Sequence, residues 1–265
     1  MGLSDGWDPV QYDRFQAERR QPFYDLLSLV QPVPGCRAID LGCGTGELTV
    51  LVHHHLQAGE TIGIDRSAAM LADSDRWAVD GVRFRQQDVA SFPNPDGSDG
   101  RFDVVVANAS LQWVNDHLKV LEGMAGTLRG QGQLAFQVPA NADHPSHTVA
   151  EEVAAEPPFA GALAGGGDPR LPSVHPPEEY ALALHRLGFV EQHVRLQVYG
   201  HLLASTSDVV EWVKGTLLTP YREQLDPSTY ELFVDRYRDR LLEVIGDDRP
   251  YFYPFKRILC WARRL

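Results

Sequence analysis

The sequence is short of cysteines, of basic residues and of long apolar runs, and each shortage excludes a class of protein. Its three cysteines, Cys36, Cys43 and Cys260, are odd in number and widely spaced. This pattern predicts neither a disulfide framework nor a zinc knuckle. No apolar run approaches the roughly 20 residues that a membrane-spanning helix needs. The first residues lack a basic segment followed by an apolar one, so we expect a cytoplasmic protein.

Acidic residues outnumber basic ones. The 265 residues include 24 Lys and Arg against 36 Asp and Glu, which gives a formal net charge of -12 at pH 7. This balance disfavours a nucleic-acid partner, because binding to a phosphate backbone needs a positive surface. A small anionic ligand is compatible with the acidic average, since a few local Arg or Lys side chains are enough to hold one.

Apolar runs of strand length alternate with segments of helix length through the first half of the chain. This alternation predicts βαβ units and a parallel sheet. The first five strands are expected over 37–41, 61–65, 82–86, 102–108 and 132–138, with helices over 47–56, 67–73 and 116–128. Ahead of them, Asp8 before Pro9 predicts a helix over 9–18. Apolar residues at helical spacing predict a second helix before the first strand, namely Phe23, Leu26, Leu27 and Val30.

The regular alternation stops after Pro139. A stretch with two consecutive prolines (157–158) and three consecutive glycines (165–167) predicts a long loop. Two further strands are expected over 190–199 and 255–263, with helices over 207–217 and 227–244 between them. We therefore expect an α/β fold: a mostly parallel seven-stranded sheet with helices on both faces and a helical insertion before the last strand. The expected divisions are a helical lid (1–30), a cofactor-binding core (31–140), an acceptor region with the sixth strand (141–204), the helical insertion (205–250) and the last strand (251–265).

A glycine-rich turn follows the first predicted strand. Glycines stand at 42, 44 and 46, where the absence of Cβ atoms lets backbone N–H groups approach a ligand closely. The dinucleotide fingerprint needs its third glycine one residue later, at the position of Glu47. A pyrophosphate is therefore disfavoured, whereas S-adenosylmethionine (SAM) carries no phosphate. Asp40, just before the turn, can lie near the ammonium group of SAM.

Polar side chains follow the next predicted strands. Asp65 can accept hydrogen bonds from both ribose hydroxyls of the cofactor. Asp88 and the N–H of Val89 can meet the adenine, and Asn108 ends the fourth strand. Each acid taken alone is equally well explained as a helix N-cap. Taken together, they fall at the carboxyl ends of parallel strands, where open α/β sheets bind ligands, and this favours SAM binding.

The chain resembles the class I SAM-dependent methyltransferases and, over nearly its whole length, the trans-aconitate methyltransferase family. The narrower resemblance rests on the runs 108–113 (NASLQW), 208–215 around Trp212 and 254–257 (PFKR), and on Trp7 with Tyr12 and Arg19. It implies a Rossmann-like methyltransferase fold, SAM as the cofactor and S-adenosylhomocysteine as the product. It also implies O-methylation of a carboxylate on a small organic acid. Lys256 departs from the pattern, because the family commonly has Arg there.

The resemblance further implies which residues form the two sites. A carboxylate is already ionised near pH 7, so it needs alignment and exclusion of water, and we expect no catalytic acid or base. Spare carboxylates of the acceptor need donors, for which Arg257 is the first candidate. The expected cofactor residues are Arg19, Asp40, Gly42, Cys43, Gly44, Gly46, Asp65, Arg66, Asp88, Val89 and Asn108. The expected acceptor residues are Trp7, Tyr12, Gln112, Trp113, Asn141, His147, Trp212, Tyr221 and Arg257.

Several alternatives stay open at this point. Trp113 and Trp212 have a competing interpretation as core residues, and Arg257 as the partner of an internal acid. Three consecutive histidines (53–55) predict no metal site, because neighbouring helical residues point in different directions. The same scaffold also suits O- or C-methylation of a natural-product or acyl-thioester acid. A non-catalytic SAM-binding module that contacts a protein partner would keep the cofactor loop as well.

Overall fold

The structure is a computed structural model that describes residues 16–93, 100–163 and 174–264, and the chain divides into two units. The first, termed the sheet unit, comprises Gln21–Pro139, Pro172–Gln197 and Arg257–Leu265. The second, termed the helical unit, comprises Met1–Arg20, Ala140–Leu171 and Val198–Lys256. None of the helices in the described ranges combines the length and the apolarity that crossing a membrane requires.

Seven strands form one sheet: β1 (Arg37–Leu41), β2 (Glu60–Asp65), β3 (Val82–Gln86), β4 (Phe102–Asn108), β5 (Leu128–Pro139), β6 (Glu191–Leu203) and β7 (Tyr251–Arg263). Their order across the sheet is β3-β2-β1-β4-β5-β7-β6. Strands β1 to β5 pair in parallel, and β7 runs antiparallel to β5. The mostly parallel seven-stranded sheet expected from the sequence is thus confirmed.

Burial on both faces explains the apolar runs that predict the central strands. Val104, Val105 and Val106 of β4 are all fully buried, as strands covered by helices on both sides require. Strand β1 has β2 on one side and β4 on the other, so the order of strands reverses there. Open α/β sheets bind ligands beyond the carboxyl ends of the strands at such a reversal.

The helices within the described residues are α1 (Gln16–Leu27), α2 (Glu47–Leu56), α3 (Ala68–Leu71), α4 (His117–Thr127), α5 (Pro145–Ala154), α6 (Phe159–Ala162), α7 (Pro177–Arg186), α8 (Asp208–Lys214), α9 (Thr219–Gln224) and α10 (Pro227–Ile245). Short 3-10 turns cover Ser74–Trp77, Val89–Ser91 and Leu111–Trp113. Capping explains several starts: Asp116 accepts from the N–H of Lys119 before α4, and Asp226 accepts from those of Ser228 and Thr229 in α10.

The helical unit has a hydrophobic core of its own. Seven aromatic side chains contribute to it, and Tyr221 stacks on Phe233 with ring centroids 4.8 Å apart. Trp212 packs edge-on against Tyr253 at 5.8 Å. Helices α5 and α10 are tied together because the Tyr237 hydroxyl donates to the Ser146 carbonyl at 2.9 Å. Each aromatic side chain of this kind buries about 150–250 Å², so these residues contribute strongly to the core of the helical unit.

Helix α1 differs from the prediction near the N-terminus. The pattern predicts a break between a helix over 9–18 and a second one that carries Phe23. Instead, α1 continues from Gln16 to Leu27 and contains Pro22, while residues 9–15 lie outside the described part. A proline inside a helix removes one backbone hydrogen bond. Burial of Phe23 and Leu26, each 1% exposed, offsets that loss.

Helices α5, α6, α7 and α9 are absent from the sequence prediction. Helix α5 begins after His144, whose ring accepts from the Ser146 N–H at 3.0 Å, and histidine is not a usual N-cap. Its buried face includes the small residues Ala150 and Ala154, which weaken the apolar periodicity. Helix α6 has only four residues and lies in the segment that was expected to form a long loop.

Several boundaries also move. Strand β5 begins at Leu128 instead of 132, because Leu128 pairs with Phe102 ahead of a register shift. Strands β6 and β7 extend the expected 190–199 and 255–263 to Leu203 and back to Tyr251. The aromatic residues at the start of β7 are strong strand formers. Helices α3 and α8 are shorter than the expected 67–73 and 207–217.

Candidate active site

The glycine loop lies between β1 and α2, at the carboxyl end of the sheet. Gly42, Gly44 and Gly46 have φ angles of 77°, 58° and 91°, in the left-handed region that disfavours other residues. A Cβ atom on Gly42 would lie 2.3 Å from the Cβ of Ser110, so the loop packs directly on the segment after β4. A Cβ atom on Gly44 would meet only the methyl group of Met70, at 3.1 Å. Gly44 is therefore the more open position of the loop.

Asp65 joins the glycine loop to the end of β2. One carboxylate oxygen accepts from the N–H of Gly44 at 2.9 Å, and the other accepts from the N–H of Ser67 at 2.9 Å. An ionised carboxylate has about four acceptor positions. Two hydroxyl groups of a ribose can therefore bind beside these backbone donors.

Asp40 is the most deeply buried acid of the site. It lies inside β1, is 4% exposed, and accepts a hydrogen bond from the Thr49 hydroxyl at 2.6 Å. Loss of solvation raises the pKa of Asp40 from 3.8 to about 6; the Thr49 bond opposes this rise and the charge of Asp65 adds to it. A cation bound nearby would stabilise the ionised form, so this carboxyl group suits an ammonium ligand.

Asp88, Val89 and Arg66 are placed differently from Asp40 and Asp65. Asp88 lies two residues beyond the end of β3, is exposed, and accepts from the N–H of Ala90 at 2.9 Å as the cap of a 3-10 turn. The side chain of Val89 is buried in the core. Arg66 is exposed just after β2. Asp88 therefore acts as a cap, which is the alternative that the sequence left open for each acid.

The segment after β4 is held in a strained conformation. Ala109 has a φ of 52°, unusual for a residue other than glycine. The Ser110 hydroxyl donates to the Leu41 carbonyl at 2.5 Å, and Gln112 donates to the Ala109 carbonyl at 2.6 Å. The side-chain oxygen of Gln112 is buried and has no hydrogen-bond partner among the described residues. Trp113 is half-buried at the end of the following turn.

Three polar side chains connect the carboxyl ends of β4 and β5 with the middle of β7. Arg257 donates from Nη1 to the amide oxygen of Gln137 at 2.9 Å, and the amide nitrogen of Gln137 donates to the amide oxygen of Asn108 at 2.8 Å. Gln137 is 1% exposed and Arg257 is 8% exposed. Arg257 pairs with Pro139 in the antiparallel ladder, which fixes its position at the end of β5. We term these three residues the amide relay.

Four expected acceptor residues belong to the helical unit. Trp212 and Tyr221 are 3% and 1% exposed and lie in its hydrophobic core. Asn141 is also buried, and its amide oxygen accepts from the Lys256 N–H at 3.0 Å. His147 is half-buried beside the Ser146 hydroxyl.

Lys256 lies beside the acceptor candidates, and the remaining candidates belong to the N-terminal segment. The Lys256 ammonium pairs with Asp143, and this hydrogen bond lowers the pKa of the Asp143 carboxyl group. Trp7 and Tyr12 lie outside the described residues. Arg19 falls in α1, in the part whose side chains are not described.

The chain is similar in sequence to known methyltransferases. A family model described as a methyltransferase domain matches residues 32–168. Trans-aconitate 2-methyltransferase of Deinococcus radiodurans is 37% identical over 264 residues, covering 97% of this chain and 98% of the relative. The relative of the same name from Methylobacterium nodulans is 38% identical over 260 residues, covering 97% and 98%. The chain belongs to the methyltransferase family.

Solved structures agree on the fold of this methyltransferase. The YcgJ protein of Bacillus subtilis gives a TM-score of 0.62 at 16% identity, covering 92% of this chain and 98% of that chain. A phosphoethanolamine N-methyltransferase 2 of Haemonchus contortus, solved with S-adenosyl-L-methionine, gives 0.56 at 15% identity, covering 100% and 60%. The chain is a SAM-dependent methyltransferase, and SAM is its cofactor.

The residues of the methyltransferase fit this cofactor. Asp40 presents a buried carboxyl group, Asp65 presents acceptor oxygens, and a Cβ atom on Gly44 would meet only the Met70 methyl group. These groups are compatible with an ammonium group and ribose hydroxyls. All three lie in the sheet unit. SAM has no phosphate, and no Gly-x-Gly-x-x-Gly turn is needed to hold it.

Sequence reasoning missed three residues that organise the methyltransferase site. Gln137, Ser110 and Thr49 each bond to a candidate residue or to the strand beside it. One signal for Gln137 exists in the sequence, because a polar residue interrupts the apolar run of β5. Ser110 and Thr49 give no such signal, since small hydroxyl residues are common in loops and helix starts.

Two of the three consecutive histidines, His53 and His55, bond to different partners. His53 bonds through Nδ1 to the Thr61 hydroxyl at 2.9 Å, and His55 bonds through Nε2 to the Val30 carbonyl at 2.7 Å. Across the described ranges, no group of three or more His, Cys, Asp or Glu is arranged to hold a metal ion.

Proposed function

We propose that this methyltransferase O-methylates a carboxylate of a small organic acid, with the tricarboxylate trans-aconitate as the first acceptor to test. One observation carries the proposal: Arg257 is buried at the end of β5, where its Nη1 donates to the Gln137 amide, in a chain of net charge -12. A buried guanidinium is a strong site for a carboxylate, because it offers up to two parallel donors. The names of the relatives support this choice.

The proposed chemistry requires positioning and no proton transfer. The carboxylate acceptor is ionised near neutral pH, so we assign no catalytic acid or base. SAM, when bound, supplies a methyl group on a positively charged sulfur. The protein orients the two reactants and keeps water out. The N-terminal residues 1–30 are proposed as a lid that contributes to this exclusion.

The two sites are proposed as follows. The residues proposed for the cofactor are Arg19, Asp40, Gly42, Cys43, Gly44, Gly46, Asp65, Arg66, Asp88, Val89 and Asn108. Those proposed for the acceptor are Trp7, Tyr12, Gln112, Trp113, Asn141, His147, Trp212, Tyr221 and Arg257. Burial of Trp212 and Tyr221 in the core of the helical unit makes these two the weakest members of the second group.

The direct test is incubation with methyl-labelled SAM and a panel of mono-, di- and tricarboxylic acids. We expect label in the product of a polycarboxylic acid, and its release by mild base, because esters hydrolyse and C- or N-methyl groups do not. Base-stable label would instead indicate C-methylation, as on a natural-product or acyl-thioester acid. Retained SAM binding without turnover of any acid would favour a non-catalytic binding module.

Arg257 variants test the anchor itself. Arg257→Lys keeps one mobile charge but loses the planar pair of donors, and Arg257→Ala loses both. We expect kcat/KM for the acid to fall in both variants, by about tenfold or more in Arg257→Ala, the scale of a lost charged hydrogen bond. A rise in KM alone would mean equal contact in ground and transition states, and a fall in kcat would mean alignment of the attacking oxygen.

A second arginine on β7 provides the matched control. Nη2 of Arg263 donates to both carboxylate oxygens of Glu191, at 2.7 and 2.8 Å. Arg263→Lys should lower the melting temperature without a selective change in acceptor kinetics. If Arg257→Lys behaves in the same way, the role of Arg257 is structural and the acid is held elsewhere.

A further inference from the structure

The donor and acceptor atoms of the amide relay are determined by the Arg257 guanidinium, which can only donate. Amide oxygen and nitrogen atoms are hard to distinguish by position, and their assignment depends on hydrogen-bond partners. A guanidinium can only donate, so Arg257 must face the oxygen of Gln137. The Gln137 nitrogen therefore faces Asn108, and a nitrogen can only donate. Asn108 must present its oxygen to Gln137, at 2.8 Å, as the structure has it.

This polarity determines where the amide nitrogen of Asn108 points. Its nitrogen carries two hydrogens that point away from Gln137, at the end of β4. Asn108 is half-buried, and within the described residues its side chain makes one hydrogen bond, the one from Gln137. The strand end where they lie neighbours β1, which leads into the glycine loop. A ligand that binds here meets a hydrogen-bond donor.

We propose that Gln137 is a positioning residue that fixes the Asn108 amide as a donor to a ligand carboxylate. The inference rests on the proposed function and extends it. A carboxylate accepts a hydrogen bond from such a donor, whereas an ammonium group cannot, because it is itself a donor. The donor direction runs from Arg257 through Gln137 to Asn108, so the positive charge of Arg257 strengthens each bond in the series. The ligand carboxylate belongs either to the acceptor acid or to the methionine part of SAM.

Gln137→Glu reverses the polarity at nearly constant size. The new carboxylate accepts from both neighbours, so Asn108 must turn over and present its oxygen to the ligand. The Arg257 pair becomes an ion pair, and the melting temperature should be unchanged or higher. Binding of the ligand carboxylate should fall. Gln137→Met serves as an uncharged second variant, since it removes both amide contacts and leaves Asn108 without a fixed orientation.

The added charge of Gln137→Glu also repels an anion by itself, and a double-mutant cycle separates the two effects. In an Asn108→Ala background, Gln137→Glu changes only the charge. We expect the substitution to weaken binding on the order of tenfold more when Asn108 is present, the scale of one reversed hydrogen bond. Gln137→Met should show the same dependence on Asn108, with no charge involved.

Two readouts identify the carboxylate. Calorimetric SAM affinity is measured for all variants, and acceptor KM and kcat are measured with the acid that the wild-type protein turns over. If the Gln137 and Asn108 substitutions are coupled in their effect on SAM affinity, the Asn108 amide donates to the methionine carboxylate. If they are coupled in their effect on the acceptor KM, it donates to the acid. The inference would be overturned if each Gln137 substitution had the same effect in the wild-type and in the Asn108→Ala background, both on SAM affinity and on the acceptor kinetics. A wild-type protein that methylates no acid overturns the proposed function alone, because a coupling in SAM affinity is measured without an acceptor.

Discussion

Asp40 combines deep burial with an ionisable group, and this has a cost at neutral pH. The pKa of Asp40 is raised from 3.8 to about 6, so the folded protein holds the proton more tightly than the unfolded chain does. Stability from this group is fully present below pH 3.8 and is lost as the pH rises to about 6. Above that pH, the ionised carboxylate destabilises the protein until a bound cation compensates it.

Asp40→Asn should therefore change stability and binding in opposite directions. The amide can still accept from Thr49 but carries no charge. We expect a higher melting temperature of the SAM-free variant at pH 7.5, a smaller gain at pH 5, and weaker SAM binding at pH 7.5. Melting curves at the two pH values and calorimetry with SAM measure this. The same gain in melting temperature at both values would contradict the burial of a charge as its cause.

Asp65 presents two acceptor oxygens at the end of β2. Asp65→Ala should weaken SAM binding by about 1–3 kcal/mol, the usual scale for loss of a charged hydrogen-bond partner. Asp116→Ala is the matched control, because Asp116 also accepts a backbone N–H at a helix start, at 3.0 Å, but lies before α4. Calorimetry on both variants should show a loss only for Asp65. Unchanged affinity in a folded Asp65→Ala protein would refute the ribose assignment.

At the scale of elements, the contact between the glycine loop and the segment after β4 determines the geometry of the site. Both connections leave the sheet at neighbouring strand ends, and Gly42 touches Ser110 so closely that no side chain fits between them. The Ser110 hydroxyl adds a bond to the last residue of β1. The two connections therefore support each other, and neither conformation depends on local sequence alone.

Gly42→Ala and Gly188→Ala separate backbone strain from this close packing. Gly42 and Gly188 have φ angles of 77° and 84°, so alanine carries a similar strain of roughly 1–2 kcal/mol at each. Only Gly42 faces a clash, since nothing lies within 4 Å of a Cβ atom on Gly188. Denaturant unfolding should show a clearly larger loss for Gly42→Ala, and SAM affinity should fall for that variant alone. Equal losses would mean that Ser110 moves aside freely.

At the scale of the whole molecule, the acidic charge opposes an anionic acceptor. The net charge of -12 repels a tricarboxylate at long range, while Arg257 attracts it only at short range. Raising the ionic strength from about 0.01 M to about 0.15 M shortens the Debye length from about 30 Å to about 8 Å. Long-range repulsion is then screened more than the short-range contact.

We therefore expect kcat/KM for a tricarboxylate to rise over this range of ionic strength. A monocarboxylate of similar size should show a smaller rise, because its charge is lower. Steady-state kinetics at four or five salt concentrations, with both acids, measure the difference. A fall in kcat/KM with added salt would show that local basic groups, and not the net charge, govern the encounter.

The sequence by itself determined the class of the fold and the positions of Asp40 and Asp65 near the carboxyl ends of β1 and β2. Strands β1 to β4 match the prediction within one residue, because buried parallel strands are continuous apolar runs that a sequence displays directly. The places of these two acids and of the three glycines relative to the strands could be predicted because their spacing from those apolar runs is local. Helices α5, α6 and α9 were not found, because small buried residues, short length or unusual caps give weak patterns. Helix α7 was missed although Pro177 and two acids in its first turn are a usual helix start.

Only the tertiary structure decided which polar side chains meet. Arg257 and Gln137 are 120 residues apart in the chain, and the antiparallel ladder of β5 and β7 brings them together. The orientation of the Asn108 amide follows from that distant guanidinium, which no local pattern contains. Burial likewise separated Trp212, which lies in the core of the helical unit, from half-buried Trp113. Hydrogen bonding and burial depend on the packing of remote segments, and sequence spacing does not specify them.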